Sequence, residues 1–392
     1  MLDSKKLTAL LSIDLSKAFD SINHELLIQK LSNFGFSVNS TDYIKSYLMN
    51  RTQKTKFLNF TSKDEPVLSG VPQGSILGPL LFLMFTNDLS QEFEKQCQIF
   101  SYADDTQLII TAPNREELKI KIKQALETAQ NWFNKNTMKN NVGKTEIVVF
   151  SKKINEKNFL IKMPGESLKE PIIIKPKNHT KVLGVYIDKG MKWDKQINIV
   201  RRNAMNVVRN IHKINKFLPE KIRIDLYHAL ISPLFNYADV IWGGCRKKDS
   251  KKLQTVQNFA AKSITGNRKY DSATNSLTHL KLLNLEKRRE IHETVFIHKA
   301  LTGKSSKNLQ NEYDLYSGKI NTRNSKKGKL ILPAHTTTRY RKSVLYRTIK
   351  SWNNLPQIVK NEDPKKQKNN YQKFLIDEMY PVMNVPNEPE NN

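Results

Sequence analysis

Two short apolar runs, Gln98-Ile99-Phe100 and Leu108-Ile109-Ile110, flank the polar break Tyr102-Ala103-Asp104-Asp105, and no other feature constrains this chain as tightly. Runs of that length and composition around so short a break spell a tight β-hairpin with two adjacent carboxylates at its tip. Neighbouring aspartates on a rigid turn supply hard oxygen ligands for divalent cations. An isolated Asp-Asp pair would be an ordinary polar turn, so the reading needs a third carboxylate. Asp14 is available at the end of Leu10-Leu11-Ser12-Ile13, an apolar stretch that reads as a buried strand delivering its last residue to the same sheet edge.

At 392 residues the chain has room for two or three compact units. Lys+Arg 65 against Asp+Glu 37 leaves a formal charge of +28. Such an excess calls for a polyanion, and nucleic acid leads the candidates. A membrane partner is not expected, because no uninterrupted apolar run approaches the ~20 residues of a spanning helix; the nearest, Ile76 to Phe85, contains Gly78 and Pro79. Lys5-Lys6 before Leu7 to Ile13 is not a signal peptide, since the run ends at Asp14 without a small-residue cleavage site. Two distant cysteines, Cys97 and Cys245, exclude a disulfide framework and a zinc knuckle and suit a reducing compartment, so an intracellular location, nucleus or cytoplasm, is expected.

Local patterns order the chain. Asn23 to Phe34 has a capping residue, Leu27, Leu31 and Phe34 at helical spacing, and Gly35 as a stop. Ser69-Gly70-Val71-Pro72-Gln73-Gly74 is turn-forming and leads into a helix from about Ile76 to Leu89. Glu116 to Thr137 predicts an amphipathic helix lying on the sheet. The polar turn Asn140 to Lys144 precedes a strand to Phe150, and Lys181 to Asp188 reads as one further strand with Gly184 in its middle. From Trp193 the period becomes helical, with Ile197, Val200, Ala204, Val208 and Ile211 on one stripe, which puts a boundary near residue 190. Helices follow at about 219–232, ending near Pro233, and 249–264, ending at Gly266.

Beyond residue 300 the composition shifts. Leu315 to Asn361 holds no Asp or Glu, while Arg323, Lys326, Lys327, Lys329, Arg339, Arg341, Lys342, Arg347 and Lys360 are basic. Such a run often lines a solvated face, but the absence of any acid points to phosphate contacts, with Tyr340, Tyr346 and Trp352 available to stack on bases. The Asn- and Pro-rich end from Val382 reads as a disordered tail.

Ser12-Ile13-Asp14-Leu15-Ser16-Lys17-Ala18-Phe19-Asp20, Ser69-Gly70-Val71-Pro72-Gln73-Gly74-Ser75-Ile76-Leu77-Gly78-Pro79 and Tyr102-Ala103-Asp104-Asp105 come in the order and approximate spacing of the palm motifs of reverse transcriptases. They most closely resemble those of non-LTR (LINE-type) retrotransposons of the jockey-like group of arthropod elements. Lys144-Thr145-Glu146 is similar to the family's next motif, and Val182-Leu183-Gly184-Val185 to the one that grips the primer end. The resemblance covers roughly residues 7 to 195. Tyr237-Ala238-Asp239-Val240-Ile241-Trp242-Gly243 and Ser351-Trp352-Asn353-Asn354-Leu355-Pro356 also resemble C-terminal parts of such elements.

The resemblance implies an α+β fold: a reverse-transcriptase palm with an antiparallel sheet over 1–190, its fingers largely missing, then a helical thumb over 191–300 and a basic nucleic-acid-binding extension over 301–392. It implies RNA-directed DNA polymerisation, with dNTPs, an RNA template and a DNA primer or target as partners. Asp14, Asp104 and Asp105 would hold two Mg²⁺, with Mn²⁺ as an alternative, and the Leu15 carbonyl would add a ligand. Phe19 would lie under the incoming sugar and exclude a 2′-hydroxyl. Gln73 and Gly74 would face the nucleotide and template base, Lys144 would approach the phosphates, and Leu183-Gly184 would contact the primer backbone. Asp20, six residues beyond Asp14, is expected to pack or cap rather than bind metal.

Only 13 residues precede Asp14, where the family carries long fingers, and no endonuclease segment is recognisable. The chain therefore reads as an N-terminally truncated element, a partial gene model or a piece of a larger polyprotein. The competing expectation is a catalytically silent remnant that binds nucleic acid by charge. A group II intron-type maturase would need a splicing domain that is not identifiable.

Overall fold

The computed structural model describes residues 6–15, 18–138, 144–151, 159–163, 172–268, 270–314, 328–360 and 363–379. The turn expected at Asn140 to Gly143, the basic residues Arg323, Lys326 and Lys327, and the tail from Val382 lie outside them. By contacts the chain divides into two compact units, 3–190 and 191–392.

The first unit is built on a four-stranded antiparallel sheet. Strand β1 (Leu7–Ile13) sits inside it, between β7 (Asp105–Ala112) and β8 (Glu146–Val149), and β6 (Gln98–Tyr102) lies outside β7. Buried residues on both faces of β1 explain why it reads as a continuous apolar run rather than an alternating one. Helix α1 (His24–Asn33) starts where the Asn23 side chain accepts from the Leu26 amide, and Gly35 follows at φ +87°. Helix α2 (Val38–Leu48), capped by Ser37, was not anticipated: its buried positions are only Thr41, Ile44 and Leu48, a weak stripe. Helix α3 (Leu77–Thr86) and helix α5 (Arg115–Lys135) add Leu81, Phe82, Phe85, Leu118, Ile122, Ala125, Ala129 and Trp132 to the core under the sheet.

Residues 181–188 are not one strand. Strand β11 (His179–Val182) reverses at Leu183-Gly184 into β12 (Val185–Asp188), with φ +44° at Leu183 and +83° at Gly184. A left-handed Leu is uncommon, so the apolar run Val182-Leu183 hid the turn.

The second unit is helical. Helix α6 (Asp194–Ile214) buries Ile197, Val200, Ala204, Val208 and Ile211, and packs on α10 (Lys247–Thr265), which ends at Gly266 with φ +74°. The helix expected to stop near Pro233 passes through it: a π segment (Tyr227–Ile231) joins Glu220–Leu226 to Ser232–Asn236. Pro233 comes just after the π segment, at the point where the Ser232 amide still donates to the Tyr227 carbonyl. The compositional shift at residue 300 is no structural boundary. Ile291, Ile297 and Ala300 of α12 (Leu285–Leu301) share one core with Tyr313, Ile349, Trp352, Val359, Tyr371 and Leu375.

Candidate active site

Sheet register brings the three carboxylates to one edge. Ile13 pairs with Thr106, and Ser12 pairs with Glu146 across the other side of β1. Continued by one and two residues, these registers set Asp14 opposite Asp105 on one flank and opposite Lys144 on the other. Asp104 is in the turn of the hairpin, whose last pair is Tyr102 with Asp105 and whose Ala103 has φ +53°. The charges interact: partial burial and then repulsion from Asp104 and Asp14 push the Asp105 carboxyl above its ordinary range, against an opposing pull from Lys181.

Lys144 Nζ lies 3.0 Å from Asp14 Oδ2. That oxygen is buried, and the Lys144 ammonium is its ion-pair partner among the described residues. Mutual repulsion among three acids and a donor set of hard oxygens fit a divalent cation. Among the described residues no three His, Cys, Asp or Glu side chains are already drawn together as a ligand cage, so an ion would have to gather them. Leu15, directly after Asp14, is buried in the core, which anchors the backbone at that point.

The β11–β12 hairpin is tied to the same side of the sheet. Thr180 Oγ1 donates to Glu146 Oε2 at 2.6 Å and Lys177 Nζ donates to Glu146 Oε1 at 2.7 Å. Burial pushes the Glu146 carboxyl up, but these two donors outweigh it and hold the group below its usual range. Leu183 stands 43% exposed at the tip, beside Gly184.

The turn-forming segment 69–74 docks on the segment after Asp14. The Val71 amide donates to the Phe19 carbonyl and the Gly70 amide to the Ile22 carbonyl, each at 2.8 Å; Ser69 Oγ donates to the Asp20 carbonyl at 2.9 Å. Gly70, at φ +89°, is required: a Cβ there would sit 2.7 Å from Asp20 Cα. Phe19 is half-buried, with one face stacked on Phe82 at 4.7 Å between ring centroids. Gln73 and Gly74 are exposed.

In the second unit Lys329, Arg341 and Lys342 are exposed and Arg339 is half-buried. Three other residues of the acid-free stretch are not available for nucleic acid. Arg347 pairs with the buried Glu293; Lys360 is 8% exposed; Trp352 is buried and donates its indole N–H to the Gly328 carbonyl at 2.9 Å. Sequence reasoning also passed over the outer face of α6, where Arg201, Arg202, Asn203, Asn206, Arg209, Asn210 and Lys213 are exposed. The signal was legible: no Asp or Glu occurs from Lys195 to Pro219.

The motifs at Tyr237 to Gly243 and Ser351 to Pro356 belong to the same interior. Trp242 Nε1 donates to the Tyr237 carbonyl at 2.8 Å, His292 Nδ1 and Asp239 Oδ2 are 2.7 Å apart, and Ser351 Oγ donates to Glu293 Oε2 at 2.7 Å. Asp239, Trp242, Glu293 and Trp352 are buried there, whereas Tyr237 and Ile241 are exposed.

Residues 1–187 match the family described as reverse transcriptase (RNA-dependent DNA polymerase). The protein described as "Probable RNA-directed DNA polymerase from transposon BS" of Drosophila melanogaster is 27% identical over 300 residues, 74% of this chain and 32% of that protein. The RNA-directed DNA polymerase from mobile element jockey is 26% identical in Drosophila melanogaster, over 65% of this chain and 28% of the relative. Its Drosophila funebris counterpart is 25% identical, over 68% and 29%. The chain thus spans about a third of the length of the curated relatives it matches. A solved telomerase from Candida tropicalis, in complex with a fragment of telomeric RNA, is 14% identical over 73% of this chain and 47% of that one, at a TM-score of 0.35.

Proposed function

We propose, from the premise that residues 1–187 belong to the reverse-transcriptase family, that this chain is the polymerising part of a non-LTR retrotransposon RNA-directed DNA polymerase, adding deoxynucleotides to a primer 3′-hydroxyl on an RNA template. The observation that carries it is the mutual repulsion of Asp14, Asp104 and Asp105 at the end of the ladder that closes on the pair Ile13–Thr106. A remnant binding by charge alone has no need of three carboxylates converging on one sheet edge.

Asp14, Asp104 and Asp105, with the Leu15 carbonyl, would hold two Mg²⁺, or Mn²⁺ in their place. Bound there, the ions lower the pKa of the primer hydroxyl and offset charge on the triphosphate. Everything else falls to the chain. Lys144, which partners Asp14 in this structure, would turn to the phosphates as a charge stabiliser once a cation takes over that carboxylate. Leu183 and Gly184 present a turn that suits contact with the primer backbone, and Gly74 lets backbone approach the template base.

Phe19 is held by Phe82 on one face, which suits a flat barrier under the sugar. Phe19→Val should raise ribonucleotide relative to deoxyribonucleotide use at least about 10-fold, because the block is steric. Single-nucleotide addition with rNTP and dNTP pairs measures this, and unchanged discrimination would remove the assignment.

The α6 face and the basic residues Arg323, Lys326, Lys327, Lys329, Arg339, Arg341 and Lys342 suit nucleic-acid phosphates. Arg201, Arg202 and Arg209 changed together to Gln should shallow the salt dependence of duplex binding by ~0.9 in log–log slope per lost phosphate contact. Sequence preference should stay the same. Fluorescence anisotropy across a salt series decides this; an unaltered slope returns the helix face to solvent.

The activity itself is tested by dTTP incorporation on poly(rA)/oligo(dT) with Mg²⁺ and with the metal chelated. Incorporation that survives chelation, or is absent with metal, would reject the reading.

A further inference from the structure

Asp20 is exposed, and among the described residues its carboxylate has one partner: Gln73 Nε2 donates to Asp20 Oδ1 at 2.8 Å. The docking of segment 69–74 does not depend on that side chain. It is carried by the backbone of Phe19, Asp20 and Ile22 and by His24, whose Nε2 is 2.7 Å from the Gly70 carbonyl oxygen. The carboxylate can therefore be removed without undocking the loop. What it fixes is an orientation. A carboxylate only accepts, so the Gln73 amide must turn its NH₂ to Asp20, which leaves the carbonyl oxygen uncommitted. Both side chains line a cavity of about 820 Å³, together with Arg51, Gln53 and Ser69.

We propose that Asp20 is a positioning residue: it holds the Gln73 amide in one orientation, so that Gln73 accepts a hydrogen bond from a donor on the incoming deoxynucleotide. The proposal rests on the polymerase reading above. A free glutamine amide would rotate and offer donor and acceptor alternately; the charge-assisted bond to Asp20 removes the donor face from competition. Asp20 touches no substrate and acts through Gln73.

The test is steady-state dTTP incorporation by the 392-residue chain on poly(rA)/oligo(dT). Asp20→Ala should raise KM for dTTP about 10-fold, with kcat within about twofold, since the lost interaction belongs to nucleotide binding. Asp20→Asn keeps an acceptor oxygen but adds a donor NH₂, so it fixes the Gln73 amide less firmly and should give a KM between those of the parent and Asp20→Ala. Gln73→Ala should raise KM at least as much as Asp20→Ala, and the double variant should be no worse than Gln73→Ala, because Asp20 acts only through Gln73. The thermal unfolding midpoint of Asp20→Ala should equal that of the parent, whereas a merely structural role would lower it and leave KM unmoved. A KM unchanged in Asp20→Ala, or additive losses in the double variant, overturns the positioning role while incorporation by the parent and its loss in Asp104→Asn keep the polymerase reading. A parent chain that incorporates nothing overturns both.

Discussion

Asp104→Asn should abolish primer extension by this chain while leaving nucleic-acid binding intact. The substitution removes one negative charge and changes volume little, so the hairpin between β6 and β7 should keep its shape. What goes is a ligand at the sheet edge where Asp14 and Asp105 face one another. Metal-derived stabilisation of a displacement amounts to several kcal/mol, and each 1.36 kcal/mol is tenfold in rate, so a loss of roughly 10³-fold or more is expected. Burial, the main cause of the raised Asp105 carboxyl, and the Asp14 charge stay in place, so losing the Asp104 charge should lower that carboxyl only in part. The check is dTTP incorporation on poly(rA)/oligo(dT) in Mg²⁺ beside anisotropy on the same duplex. Near-parental incorporation would reject the metal-site assignment, whereas loss of both activity and binding would point to a folding defect.

Arg347→Ala should destabilise the second unit by about 3–5 kcal/mol, the usual cost of stranding a buried charge. Arg347 contacts the Glu293 carboxylate and the Val240 carbonyl, and its Nε donates to the Lys342 carbonyl at 3.1 Å. Glu293 is 7% exposed. Burial pushes its carboxyl up, and Arg347 and Ser351 pull it back. Without Arg347 the glutamate keeps the Ser351 hydrogen bond and the Arg289 charge but loses its direct ion-pair partner, so its buried charge is poorly compensated or must take up a proton, and either outcome opposes folding. Gly243 sharpens the geometry: a Cβ there would lie 2.8 Å from the Arg347 guanidinium and 2.6 Å from the Asp239 carbonyl oxygen. Replacing both partners, Arg347→Met with Glu293→Leu, should recover most of the loss, because an apolar pair of similar volume carries no desolvation penalty. Urea unfolding reads both variants. A single substitution costing less than about 1 kcal/mol would mean that the pair is hydrated rather than buried.

The sequence by itself determined whatever depends on neighbours within a turn or two. Asn23 and Gly35 bracket the first helix, the stripe from Ile197 to Ile211 defines α6, and Gly266 stops α10. The carboxylate hairpin belongs to the same class, since two apolar runs around a short polar break can pair in few ways. Hairpin and apolar strand together made Asp14, Asp104 and Asp105 legible as a group. Local pattern failed where a residue took a conformation its type disfavours: Leu183 at φ +44° turned an apparent strand into a hairpin. It failed again where partners are far apart in the chain. Asp20 and Gln73 are 53 residues apart, and Glu293 and Arg347 are 54. No periodicity encodes such pairs; they form because packing brings two loops or two helices to one place. The basic stretch after residue 315 shows the consequence. Composition marked Arg347, Lys360 and Trp352 as candidates for nucleic acid, and tertiary packing took all three into the interior. A side chain's type says what it can bond to, and only the fold decides whether a neighbouring helix or a solvent-borne ligand reaches it first.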